Sequence, residues 1–375
     1  MSESWRFAVF FVTVLSIWTA MHAYVLARLW RLPGLDSPLA HRLALAVFAL
    51  LWLAYPVARV LERRGHVTLA HPMEWIGAAW LGTLFFLVVG ILVADLLTGF
   101  GWLWPTAGVP ARAAAVGGAL LLAAIALVQG TRAPVVEEVT ITSRGIAPDR
   151  DGLRLVQLSD LHVGALLNSR WLKKIQAQVA DLEPAALVIT GDLVDGNARR
   201  VAQALPELQG FTAPLGVWAV TGNHEYYAGL EASVEVLRQA GFHVLRDGWA
   251  ELVPGVVLAG VDDLTARRQF GDPGDPLPAT LAGRPPGFTI LLSHSPWRVE
   301  EAAAAGVDLM LSGHTHAGQI WPFNYLTGLQ YPYMEGRYQV GEMTLYVSRG
   351  TGTWGPRMRL PRPAEITVIT LRRAS

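Results

Sequence analysis

Seven residues that can bind a hard metal ion each follow the end of a short apolar run in this sequence: Asp160, His162, Asp192, Asn223, His294, His314 and His316. The runs are LRLVQL (153–158), ALVIT (186–190), VWAVT (217–221), FTILLS (288–293) and VDLMLS (307–312). They lead into SDLH, GDLVD, GNHE, a lone histidine and GHTH. All seven donors are oxygen or imidazole nitrogen, a set that suits Mn, Fe or Zn. Seven exceed what one tetrahedral ion takes. They suit two ions sharing a carboxylate, a pair that can hold a phosphoryl group and lower the pKa of a bridging water. His314 and His316, two residues apart on an extended turn, can serve two neighbouring ions.

Donors spread over more than 150 residues need a scaffold to gather them. Runs of five or six apolar residues with β-branched members read as buried strands. Amphipathic stretches between them, SRWLKKIQAQVADL (169–182) and GLEASVEVLRQAG (229–241), read as helices. The alternation gives an α/β core with partly parallel pairing. In such sheets ligands bind beyond the carboxyl ends of the strands, where all five motifs stand. Gly191, Gly222 and Gly313 let the backbone turn tightly close to the site.

Ahead of this half lies a different one. Residues 7–29, 43–60, 75–97 and 113–129 are apolar stretches near the length that spans a bilayer. Trp5, Trp30, Trp75, Trp102 and Trp104 fall near their ends, where amphipathic rings favour the interface. Pro56 interrupts the second stretch, and Glu74 and Asp95 flank the third in positions that suit a solvated interface. The reading is a multi-pass protein of the cell membrane. An even number of spans puts the amino terminus and the carboxyl-terminal half on one side. Arg59, Arg63 and Arg64 balance Arg28, Arg31 and Arg42, so loop charge does not choose that side. The expected division is a transmembrane domain over 1–131, a linker with the first strand over 132–150, and a catalytic domain over 151–375. The segment 129–139 reaches at most ~35 Å when extended, which keeps the second half near the bilayer.

Composition agrees with both halves. The 375-residue chain is 52% hydrophobic, has mean hydropathy +0.34, and carries only 16% charged residues with a net charge of zero. That balance gives no electrostatic case for nucleic acid. Without cysteine there is neither a disulfide nor a thiolate site for metal.

The ordered motifs D-x-H, GDxxD, GNHE, lone H and GHxH resemble those of the calcineurin-like metallophosphoesterases. SDLHVG, GHTHAGQI and the tail YVSRGTGTWGPRMRLPRPAEITVITL are most similar to its membrane-associated bacterial branch, the YkuE/YaeI type. The resemblance covers residues 140–371 and implies a four-layer αββα sandwich, here preceded by about four transmembrane helices. It implies one ion on Asp160, His162, Asp192 and His316, and a second on Asp192, Asn223, His294 and His314. It makes His224 a group that protonates or stabilises the leaving oxygen, oriented by Asp195, with Glu225 behind the ligands. Gly196 stands where the protein Ser/Thr phosphatase branch has a phosphate-binding Arg, which disfavours that branch. Arg298 and Arg349 remain as candidate cations for the phosphate, with ordinary surface arginines the simpler reading.

The expected function is hydrolysis of a phosphomonoester or phosphodiester. The aromatic-rich segment 321–334 reads either as a packed closing loop or as a lip for a membrane lipid. The competing reading is a membrane sensor or scaffold whose metal domain binds without turnover. A transporter is a third, disfavoured because the spans show no paired buried charges.

Overall fold

The computed structural model describes residues 3–164, 166–167, 169–196, 202–272 and 274–374. The chain divides into two compact units: Met1–Thr131 with the tetrapeptide Gly355–Met358, and Arg132–Trp354 with Arg359–Ser375.

The first unit is built from α1 (Glu3–Leu29), α2 (Pro38–Arg63), α3 (Val67–Leu97) and α4 (Pro105–Thr131). Ser37 starts α2, its hydroxyl accepting a hydrogen bond from the Ala40 N–H at 3.1 Å with Pro38 at the first helical position. α2 runs through Pro56, so that residue does not break the helix. All four helices are long and apolar enough to cross a membrane, and most of each apolar window lies on the outside of the unit. A soluble helix turns its apolar stripe inward. Here Phe11, Leu50, Leu97 and Leu121 face outward. Such a surface needs hydrocarbon around it, and the chain is a membrane protein.

The expectation that Glu74 and Asp95 are solvated is overturned: Glu74 is buried and pairs with Arg59 at 3.1 Å. Asp95 is 0% exposed. It accepts from Arg112 Nε at 2.6 Å, from Arg28 Nε at 2.8 Å and from the Tyr24 hydroxyl at 2.8 Å. One carboxylate on α3 thus ties α1 to α4, because a charge near a helix end in lipid is stable only when paired. Paired buried charges therefore do occur in this unit, contrary to the sequence reading. Removing one member leaves the others uncompensated. Asp95→Ala is expected to destabilise the bundle by about 3–5 kcal/mol, measured by unfolding in detergent micelles.

The second unit holds two six-stranded mixed sheets. The strands are β1 (Val135–Ser143), β2 (Arg154–Leu158), β3 (Ala186–Thr190), β4 (Val217–Val220), β5 (His243–Val244), β6 (Gly248–Val253), β7 (Val256–Gly260), β8 (Phe288–Leu292), β9 (Leu309–Ser312), β10 (Gly336–Val340), β11 (Met343–Val347) and β12 (Glu365–Arg373). One sheet has the order β1-β12-β2-β3-β4-β5 and the other β10-β11-β9-β8-β7-β6. β2, β3 and β4 pair in parallel, as do β7, β8 and β9.

Alternation along these strands explains the layering. Leu155 of β2 and Val188 of β3 pack with Leu258, Ile290 and Leu311 of the opposite sheet. Their neighbours Val156 and Ile189 pack with Leu172, Ile175 and Val179 of the helix Ser169–Asp181. On the far side, Leu291 and Met310 pack with Leu277, Val299 and Ala302 of the helices Leu277–Leu281 and Val299–Ala304. Both faces of each central strand are apolar, so each sheet is covered on both sides. The result is the αββα sandwich.

Candidate metal centre

The five expected strand ends are real strand ends on two adjacent sheets. Gln157, buried between the sheets, draws them together: its Nε2 donates to Thr190 Oγ1 at 2.9 Å and to the Ser312 carbonyl at 3.0 Å. The loops beyond β2, β3, β4, β8 and β9 then converge.

Their backbones are held in an uncommon conformation. Asp160, His162, Asp192, His314 and His316 all have φ between +45° and +71°. Five non-glycine residues in the left-handed region represent strain that the surrounding structure must hold, a pattern concentrated at functional sites. Close approach explains two of the glycines. A Cβ at Gly222 would meet the Asp192 carboxylate, and one at Gly313 would meet Ser159 Oγ and Asp160 Oδ2.

Six of the seven expected donors come together, and the seventh, Asn223, begins the short helix that follows β4. The Oδ2 atom of Asp192 lies 3.8 Å from His162 Nε2 on one side and 3.2 Å from His294 Nε2 on the other. His162 Nε2 faces His316 Nε2 at 3.1 Å, and His316 Nε2 is 3.3 Å from Asp160 Oδ1. His294 Nε2 faces His314 Nδ1 at 3.2 Å. Within the sets Asp160–His162–His316, His162–Asp192–His224 and Asp192–His294–His314, one ligand atom per residue lies within 4.8 Å of the others.

Second contacts fix which nitrogen faces the centre. His294 Nδ1 donates to the Thr190 carbonyl at 2.7 Å, so Nε2 is the nitrogen that faces Asp192. His314 Nε2 lies 2.7 Å from the Tyr331 hydroxyl, which leaves Nδ1 inward. The carboxylates are fixed as well. His314 N–H donates to both oxygens of Asp160 at 3.1 Å, and His224 N–H donates to Asp192 Oδ1 at 2.8 Å. The side-chain oxygen of Asn223 is buried with no hydrogen-bond partner. An orphaned acceptor and two pairs of closely facing imidazole nitrogens fit a cation, which would satisfy the oxygen and bind the ring nitrogens.

The charge states agree. Burial disfavours ionisation of Asp160 and Asp192, but the imidazoles of His316 and His294 outweigh it and hold both carboxyls well below the usual range. Burial and the nearby imidazoles push His162 down to about 3 and His314 down to about 4, which keeps both rings neutral.

His224 lies among the donors, grouped with His162 and Asp192, and its Nδ1 is 3.0 Å from Asp195 Oδ1. Burial opposes protonation of His224, yet Asp192 and Asp195 together raise it to about 9. A cation on Asp192 would remove part of that lift. Glu225 is fully buried and accepts from the backbone N–H groups of Asp192 (3.0 Å), Val194 (2.8 Å) and Gly222 (2.6 Å), so it builds the two loops rather than touching a ligand.

The candidate phosphate cations are occupied elsewhere. Arg298 pairs with Glu301 at 2.8 Å. Arg349 is largely buried between Glu137 (2.6 Å) and Glu365 (2.8 Å), not an ordinary surface arginine. Within segment 321–334 the helix Phe323–Gln330 has no buried residue and Leu329 is 85% exposed, while Tyr331 is buried against His314 and Trp297.

Two residues next to the ligands were not legible. Tyr331 is one aromatic among several in its segment. Arg359, 0% exposed, donates through its NH2 group to the carbonyls of Arg349 (2.7 Å), Gly350 (3.1 Å) and Gly352 (2.7 Å), and stands 3.5 Å from His316 Nδ1. Its only sequence signal is a charge inside a largely apolar tail.

Comparison with known proteins gives consistent matches. The calcineurin-like phosphoesterase family matches residues 153–318. An uncharacterized metallophosphoesterase of Aquifex aeolicus (strain VF5) is 37% identical over 248 residues, covering 63% of this chain and 91% of that protein. The uncharacterized metallophosphoesterase YkuE of Bacillus subtilis (strain 168) is 33% identical over 247 residues, covering 63% and 84%. A "transmembrane protein with metallophosphoesterase domain" of Danio rerio is 38% identical over 266 residues, covering 68% of this chain. The match spans only 61% of the length of that fish relative and of its counterpart in Bos taurus.

Proposed function

The chain belongs to the calcineurin-like metallophosphoesterases, and from that premise we propose that it is a membrane-bound hydrolase of phosphoesters working with two metal ions that share Asp192. The observation that carries the reading is the position of Asp192 Oδ2, 3.8 Å from His162 Nε2 and 3.2 Å from His294 Nε2. Asp160, His162, Asp192 and His316 would hold one ion. Asp192, Asn223, His294 and His314 would hold the other. The oxygen and imidazole donors favour Mn, Fe or Zn. When bound, the pair supplies Lewis acidity to phosphoryl oxygens and a water of lowered pKa.

The remaining work falls to the chain. Asp195 engages Nδ1 of His224, so Nε2 is the atom that gives a proton to the leaving oxygen. This pair has no use in a sensor or scaffold that binds without turnover, which argues against that alternative. Tyr331 would keep His314 in the tautomer that presents Nδ1. Tyr331→Phe is expected to weaken metal binding about 10-fold or more, read by competition with a chelator, with the fold intact.

We assign the chain four spans, with its amino terminus and catalytic unit on the same side of the cell membrane. The substrate we propose is a lipid or lipid-linked phosphoester. Only residues 132–134 separate α4 from β1, which supports a substrate at the bilayer. Exposed Trp321, Phe323, Tyr325, Leu326 and Leu329 offer apolar surface on the segment that ends at Tyr331. The test is turnover by the metal-loaded full chain in mixed micelles. Hydrolysis of a lipid phosphoester is expected. Good turnover of soluble aryl phosphodiesters with none of lipid phosphoesters would refute the lipid assignment.

A further inference from the structure

Beyond the metal donors, two exposed aromatic rings flank His224. The Tyr227 ring centroid lies 5.4 Å from that of His224, and the Trp354 centroid lies 6.2 Å away. Tyr227 is 51% exposed and Trp354 54%. Large rings left open to solvent usually belong to a contact surface. Scattered exposed aromatics need no explanation, so the question is whether these two are held in place.

Trp354 is held. Gln319 grips its backbone at two points: the Trp354 N–H donates to Gln319 Oε1 at 2.9 Å, and Gln319 Nε2 donates to the Trp354 carbonyl at 2.9 Å. Gln319 follows directly on the loop that carries His314 and His316. From beneath, Arg359 ties the same stretch through the carbonyls of Arg349, Gly350 and Gly352. Tyr227 is held too, its hydroxyl donating to Gln269 Oε1 at 2.5 Å with the Phe270 ring 6.1 Å behind it. The loop is fixed on both faces while its largest side chain stays open. The Trp354 backbone and the Tyr227 hydroxyl are fixed, which lowers the ordering cost when a partner stacks on the rings.

We infer that Trp354 and Tyr227 are specificity-determining residues that take a flat aromatic moiety of the leaving group, such as an aryl alcohol or a nucleoside base. The inference rests on the proposed role of His224 as donor to the leaving oxygen, because the rings flank that imidazole and not the far side of the ligand cluster. The apolar rings set against it are aromatic on both sides, which favours a planar partner over an acyl chain.

The test uses the metal-loaded full chain in detergent micelles and compares wild type, Trp354→Ala and Trp354→Phe. Substrates are 1-naphthyl phosphate, adenosine 5′-phosphate and methyl phosphate, and the two flat leaving groups separate the aryl from the nucleoside source. Comparing each substrate across variants cancels its intrinsic reactivity. Trp354→Ala is expected to lower kcat/KM for a flat substrate, through KM, roughly tenfold more than for methyl phosphate, and Trp354→Phe to recover most of it. Binding of 1-naphthylphosphonate by calorimetry gives a readout independent of turnover. If no phosphoester is cleaved but the phosphonate binds in a Trp354-dependent way, the subsite stands and the hydrolase reading falls. An equal loss for all substrates, no loss, or a fall in metal content would overturn the inference.

Discussion

Asp192→Asn is expected to abolish turnover, lowering kcat by at least about a thousandfold, where loss of a single electrostatic stabiliser ordinarily costs about 10²–10³. The excess follows from position. One oxygen of Asp192 stands between the His162 and His294 nitrogens, so a single change affects both halves of the proposed centre. Asparagine keeps the shape of the side chain. Its Oδ1 can still accept from the His224 N–H, and the Asp192 N–H can still donate to Glu225. The fold should survive, which circular dichroism checks. What is lost is the charge, and metal content should fall from two ions per chain to one or none. Full metal content with full activity in this variant would remove Asp192 from the role assigned to it.

His224→Ala should cost less and cost it differently. A positioned acid or base contributes about 10²–10⁴-fold, and that is the expected drop in kcat. His224 stands within 4.8 Å of ligand atoms of His162 and Asp192, but its Nδ1 is engaged by Asp195 and the proposed sets do not include it, so metal content should stay at the wild-type level. The loss should depend on the leaving group. An alkoxide must be protonated as it departs, whereas 4-nitrophenolate leaves without a proton. The variant should therefore retain far more of its rate on 4-nitrophenyl phosphate than on an alkyl ester. A uniform loss across leaving groups would mean that His224 acts on the phosphoryl group instead. Unchanged turnover would remove His224 from the reaction.

The parts of the molecule legible in the sequence are those written in local pattern. Short β-branched runs became β2, β3, β4, β8 and β9, and the amphipathic stretches became the helices Ser169–Asp181 and Leu230–Gln239. The donors were legible because each follows such a run at once. Pairing across long separations left no local trace. β12 inserts between β1 and β2, parallel to one and antiparallel to the other, and no short-range signal fixes that register. The same limit hid Asp95, which looked like an end-of-span charge because its partners Arg28 and Arg112 are on other helices. It hid Tyr331 and Arg359, whose meaning lies in the imidazole each approaches. The exposed helix Phe323–Gln330 stayed between two readings, because aromatic residues signal packing in a soluble loop but can remain outside in a chain that belongs to a membrane.

The central claim is that loops from five strand ends hold two cations on either side of one carboxylate. Anomalous diffraction from crystals of the full chain grown with Mn²⁺ tests it most directly. Two anomalous peaks are expected to flank the Asp192 carboxylate, one against His162 and His316 and the other against His294 and His314. A single peak, or peaks remote from Asp192, would contradict the account.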